Sequence, residues 1–244
     1  ITGDITDETI FDKVKKIALE NKVDFMIASP PCQGISVAGK NRKIEEMAQD
    51  DRNYLITYII KMIHKVQPSY IIIENVPLLL KLRLIIDGKL FTVKEILEKE
   101  FSTQYTIDCN ILDTSDYGIP QVRKRAIIRM YRKGLLWPWP RKNEQKVTVR
   151  QAIGDLPSIE AGEKSNIKWH FGRKHNKLQI LWMKHTPTGH SAFENVKYYP
   201  QKKDGTPVNG YQSSYRRIKW DEPSPTITIR NDAISSQRNV HPGN

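Results

Sequence analysis

The stretch "DFMIASPPCQGIS" (Asp24–Ser36) begins as an apolar run and breaks into a stiff turn. "DFMIAS" reads as a buried strand. Pro30, Pro31, Cys32, Gln33 and Gly34 then suit neither helix nor strand. Working outward, Ile10, Val14, Ile17 and Ala18 recur at helical spacing after the capping-type residues Thr6 and Asp7. Downstream, Leu55, Ile59, Met62, Ile63 and Val66 mark one helix face, which Pro68 closes. "YIIIEN" (Tyr70–Asn75) is a second short apolar strand. Phe91, Val93, Ile96 and Leu97 predict another helix, followed by strand-like "YTIDCNILD" and "RAIIRMY". Strands alternating with helices predict a layered α/β sheet with parallel strands and helices on both faces.

With 244 residues the chain is long enough for a large core, or for one medium and one small domain. No apolar run reaches the length of a membrane span and no secretory signal opens the chain. Its two cysteines, Cys32 and Cys109, are too few for a disulfide framework or a metal knuckle, which fits a reducing cytoplasm. The net charge is +12, and it is not evenly spread. Residues 1–131 carry 19 Lys+Arg against 18 Asp+Glu, whereas residues 132–220 carry 18 against 6. That basic stretch also holds all five tryptophans, a mixture that points to nucleic acid, the plainer reading being a solubilising lysine-rich face.

Near "WPWPRKNEQK" the strand–helix alternation stops. Three segments follow: an α/β domain over residues 1–140, a smaller irregular domain over 141–215, and a returning segment over 216–244. The helix "VTVRQAIGDLP" is the main regular element expected in the basic part. "EPSPTITIR" (Glu222–Arg230) reads as one more strand. His170, His175, His185 and His190 lack neighbouring cysteines or a familiar spacing, so no metal site is expected.

Ligands of an α/β sheet gather beyond the carboxyl ends of its strands. Three segments reach that edge: "SPPCQGIS", "ENV" (Glu74–Val76) and "DYGIPQVRKR" (Asp116–Arg125). They supply a thiol, a carboxyl group and guanidinium groups. A thiolate is a strong nucleophile, and a carboxyl ending a buried strand can hold or deliver a proton. Arginines two apart on a strand point the same way and can grip a ring oxygen or a phosphate. Each has a structural alternative: a packed thiol, a helix-capping Glu74, a solvated Arg123 and Arg125.

In this order the segments "GDI" (Gly3–Ile5), "PPCQGIS", "DDRNYL", "IIIENV" and "YGIPQVRKR" resemble successive motifs of the cytosine-C5 DNA methyltransferases, bacterial modification methylases in particular. "PSPTIT" with "HP" (His241, Pro242) resembles the return segment after that family's target recognition domain. The resemblance implies a Rossmann-like methyltransferase sheet and S-adenosylmethionine as methyl donor. It implies Cys32 as the nucleophile for C6, Glu74 at N3 and the exocyclic amine, and Arg125, with Arg123, orienting the base. By the same resemblance Asp4, Ile5, Pro31 and Leu55 line the cofactor pocket. Gln33, Ser36, Thr226, Arg216 and Arg217 face DNA, and residues 141–215 stand where the target recognition domain does. The out-of-plane attack requires a base flipped from the helix, as is general for enzymes acting on bases.

The partner implied is double-stranded DNA in a prokaryotic cytoplasm, near the nucleoid. The family's F-x-G-x-G turn and its late cofactor motif have no counterpart in the sequence. A trimmed chain or a complementing polypeptide is therefore expected, otherwise a monomer, and this chain alone should bind S-adenosylmethionine weakly or not at all. Two further readings stand beside this one: a tRNA cytosine-C5 methyltransferase, which the catalytic set does not distinguish, and a non-catalytic nucleic-acid-binding remnant.

Overall fold

The computed structural model describes residues 1–31, 50–202, 204–208, 210, 213–227 and 240–243. They fall into two compact units, Ile1–Leu112 with Lys124–Pro140, and Asp113–Arg123 with Arg141–Asn244.

The first unit is built on a four-stranded sheet of order β1-β2-β6-β5, with β1 at Phe25–Ala28, β2 at Tyr70–Asn75, β5 at Tyr105–Asp113 and β6 at Lys124–Arg132. β1 runs parallel to β2, with Ala28 opposite Ile73. β6 runs antiparallel to β2, with Glu74 opposite Ile127 and Asn75 opposite Ala126. The sheet is therefore mixed, which corrects the expectation of parallel strands. Parallel neighbours need a crossover of a dozen or more residues, usually a helix, and only Thr114–Arg123 separates β5 from β6.

Alternation along β2 sorts its side chains. Ile71 and Ile73 are fully buried, and their partners Ile128 and Met130 on β6 share that face. Helices α2 (Leu55–Val66) and α3 (Val93–Phe101) supply Ile56, Ile63, Val93, Leu97 and Phe101 to the same cluster. Each such side chain contributes about 1.5–3 kcal/mol on burial. α2 stops where Gln67 turns left-handed, at φ 51°, ahead of Pro68. α3 starts with a capping box, in which the Thr92 hydroxyl accepts from the Glu95 N–H and the Glu95 carboxylate accepts from the Thr92 N–H. Between these helices lies an unforeseen hairpin, β3 (Arg83–Ile86) and β4 (Lys89–Thr92).

The other sheet face carries Phe25, Tyr70, Ile72, Arg129 and Tyr131. Trp137 packs edge-on against Phe25, Tyr70 and Tyr131 at 5.2–6.1 Å between ring centroids. The buried Arg129 guanidinium lies 3.9 Å from the Trp139 ring centroid and pairs with Asp108 at 2.7 Å. β1 ends the sheet order, and its Phe25 and Ile27 remain 46% and 64% exposed. Helix α1 (Glu8–Glu20), capped by Asp7 as expected, sets Phe11 against Tyr58 of α2 and buries none of its residues fully.

The second unit is irregular. Its small core gathers Trp182 and Met183 from helix α5 (Lys177–Lys184) with Ala192 and Tyr215. Both α5 and the shorter α4 (Val149–Ile153) begin with capping boxes, at Asn176–Gln179 and Thr148–Gln151. The strand expected over Glu222–Arg230 is not found in its described part, Glu222–Ile227. There Ser224 makes only an isolated bridge to Gln121, because Pro223 and Pro225 lack the N–H a ladder requires.

Candidate active site

The end of β2 presents Glu74, whose side chain is 30% exposed. Its Oε1 pairs with Arg125 Nε at 2.8 Å, and its Oε2 accepts from the Ser29 hydroxyl at 2.5 Å. Arg125 is the second residue of β6, on the same face as Ile127, which is the partner of Glu74. Strand register thus delivers the carboxylate and the guanidinium to one spot. The carboxylate is held by a cation and a hydroxyl rather than simply buried. It has roughly four lone-pair sites, so two remain for a ligand.

The next residue, Asn75, points to the opposite face and is 3% exposed. Its Nδ2 donates to the Pro30 carbonyl at 2.9 Å, and its Oδ1 accepts from the Val76 N–H at 2.8 Å. One amide therefore ties the turn after β1 to the end of β2. A small cavity sits there, lined by Pro30, Pro31, Asn53, Ile56, Asn75, Leu79 and Leu82. Cys32, Gln33 and Ser36 lie outside the described residues. The other cysteine is placed: Cys109 on β5 packs against the core, and burial pushes its thiol pKa up. A protonated thiol is a poor nucleophile.

The remaining expected site residues have the following surroundings. Of the proposed cofactor residues, Pro31 lines the cavity, and Leu55 is half-buried at the start of α2. Ile5 is half-buried as well. The exposed Asp4 carboxylate accepts from the Thr6 N–H at 2.9 Å and the Thr6 hydroxyl at 2.8 Å, and these bonds hold its pKa below the usual range. Gly3 beside it passes so close to Ile10 that a Cβ would meet the Ile10 side chain at 2.6 Å.

Arg123 belongs to the second unit and stands one residue before β6, with its N–H on Asp113 Oδ1 at 3.2 Å. The Thr226 hydroxyl donates to the Val122 carbonyl at 2.8 Å. Arg216 donates to the Gly189 carbonyl at 2.6 Å and meets Glu194 at 3.3 Å, keeping its side chain 38% exposed. Arg217 departs from its expected DNA-facing place. It is 5% exposed and donates to the carbonyls of Met183, Thr186 and His241 at 2.8 Å each. A guanidinium so enclosed caps the end of α5 and offers nothing to a phosphate.

The profile of the C-5 cytosine-specific DNA methylase family matches residues 1–244. The chain belongs to that family. It is 65% identical over 243 residues to the Type II methyltransferase M1.HgaI of Avibacterium volantium, covering 100% of this chain and 68% of that protein. It is 32% identical over 212 residues to the Type II methyltransferase M1.HphI of Haemophilus parahaemolyticus, covering 85% of this chain and 52% of that one. Among solved structures, a prophage-encoded E. coli protein assigned as a DNA modification methyltransferase superposes with a TM-score of 0.53 at 19% identity, over 92% of this chain and 71% of that one. That likeness supports the fold. Both relatives are named Type II methyltransferases, and the chain spans about two thirds of the first and half of the second. Among the described residues no helix is long and apolar enough to cross a membrane.

In this methylase, sequence reading singled out Glu74 and Arg125, and the structure brings them together. It passed over Ser29 and Asn75, which hold Glu74 and Pro30 in place. Both sit inside the quoted motifs, yet a polar residue ending a buried strand announces no partner 45 positions away.

Proposed function

We propose that this methylase transfers a methyl group to C5 of a cytosine flipped out of a specific duplex DNA sequence, through a covalent bond from Cys32 to C6. The observation that carries this reading is the Glu74–Arg125 pair with Ser29, next to a turn that Asn75 fixes immediately before Cys32.

Cytosine C5 is a weak nucleophile, so the ring must be activated first. Addition of the Cys32 thiolate to C6 places electron density on C5 and charge across the ring. The Glu74 carboxyl group accepts from the exocyclic amine and hands a proton to N3 as the sulfur adds, taking it back when the sulfur leaves, which stabilises that charge. Arg125 holds the carboxylate in place and faces the exocyclic O2 of the base. After the methyl group is added, loss of the C5 proton and departure of the Cys32 sulfur restore the aromatic ring and the free enzyme. S-adenosylmethionine supplies the methyl group when bound. Pro31 and the half-buried Ile5 and Leu55 would border its apolar parts, while the cavity beside Pro31 is itself only water-sized. Asp4 spends Oδ1 on its own turn and keeps Oδ2 for the cofactor. Arg123 and Thr226 position the flipped nucleotide, Gln33, Ser36 and Arg216 meet DNA, and the basic residues 141–215 read the target.

The nucleophile is testable because the chain has just two cysteines, and the second, Cys109, packs against the core. Cys32→Ser should abolish methyl transfer while duplex binding persists, whereas Cys109→Ala should keep turnover. DNA carrying 5-fluorocytosine should trap the wild-type enzyme covalently. Substantial turnover by the serine variant would remove the thiol from the mechanism.

A further inference from the structure

Residues 160–172 of the second unit form a tight hairpin closed by backbone bonds from Gly162 N–H to the Gly172 carbonyl at 3.0 Å and from Gly172 N–H to the Glu163 carbonyl at 2.8 Å. Nearer the tip, Ser165 N–H donates to the His170 carbonyl at 3.1 Å, and the Ser165 hydroxyl meets His170 Nδ1 at 2.9 Å. Lys164 and Phe171 pair across it as an antiparallel bridge. Trp169 sits at the tip, 82% exposed, with φ at +67°. That conformation costs a side-chain-bearing residue about 1–2 kcal/mol, and glycine or asparagine adopts it more readily. A large indole is thus displayed to solvent in a strained backbone that flanking bonds lock. No acidic residue occurs from Lys164 to Lys184, while Lys164, Lys168, Arg173, Lys174 and Lys177 do. Lys168 Nζ lies 5.6 Å from the indole centroid.

We infer that Trp169 is a base-contacting residue whose indole stacks on a nucleobase unstacked where the target duplex opens, between phosphates neutralised by Lys168 and Lys174. At 82% exposure the indole buries little of itself within the fold. Stacking on a base uses both its apolar face and its fixed projection. The inference rests on the proposed action on duplex DNA and names the side chain that touches the bases.

Trp169→Asn and Trp169→Phe separate the roles. The asparagine variant relaxes the backbone, so its thermal midpoint should equal or exceed that of the wild type. Its affinity for duplex DNA carrying the target should fall about 5- to 150-fold, the worth of one stacked base. The phenylalanine variant should recover part of that loss. It should also lack the share of tryptophan emission that duplex quenches in the wild type. Wild-type affinity in Trp169→Asn would overturn the inference and leave the methylase reading standing. Failure of the wild-type enzyme to bind or methylate any duplex would overturn both.

Discussion

Asn75 shows how much one amide can settle. It is enclosed, spends both of its polar atoms, and reaches from β2 to the carbonyl of Pro30. Truncation to alanine leaves that carbonyl and the Val76 N–H without their partner inside the fold. Asn75→Ala should therefore destabilise the protein by about 1–3 kcal/mol, read as a lower midpoint in urea. An unchanged midpoint would mean that water replaces the amide at no cost. Glu74, one residue earlier, was readable in the sequence because a carboxylate at the end of "YIIIEN" stands out. Asn75 was not readable, since its meaning lies in a carbonyl far back in the chain. Arg217 failed in the opposite direction: charge suggested a phosphate, but the fold encloses the guanidinium among carbonyls.

The elements divide into those declared by local chemistry and those decided by their neighbours. β2, α2 and α3 follow from apolar spacing, and the capping box of α3 is written as Thr92 and Glu95. The hairpin before it was legible too, in hindsight of its geometry: Asp87 and Gly88 both take positive φ, at 50° and 74°, the turn that "DG" between apolar runs favours. Strand direction was not legible, because periodicity says nothing of which neighbour a strand will choose. The cap of α3 makes a pH-dependent test. The Thr92 N–H, then its hydroxyl, holds the Glu95 pKa below the ordinary carboxylate value of 4.5. A pKa lowered by folding lends stability above the unfolded value and loses it as pH falls through the folded one. Thr92→Ala should cost about 1 kcal/mol at neutral pH. The gap from wild type should narrow as pH drops below 4.5, as thermal melts across that range would reveal. A gap that widened on acidification would contradict the assignment.

Over the whole chain, charge is segregated by sequence: a near-neutral stretch over residues 1–131 and a strongly basic one over 132–220. If the basic stretch holds phosphates, the logarithm of the DNA association constant should fall linearly with the logarithm of salt, with a slope of about −0.9 per phosphate neutralised. Filter binding over a salt series would measure it, and a flat response would leave the lysines as mere solubilising groups. The first unit has a different vulnerability, which follows from the amide between β2 and Pro30. β1 and β2 meet in parallel with Ala28 beside Ile73, and only in that alignment does position 75 fall beneath the turn. A slip by a single residue would put Val76 there, which has no amide to offer, and would swing Glu74 away from the face it shares with Arg125. On the proposed mechanism, misthreading of these two strands would abolish methyl transfer as well as the fold, so turnover would double as an assay for correct assembly of the sheet.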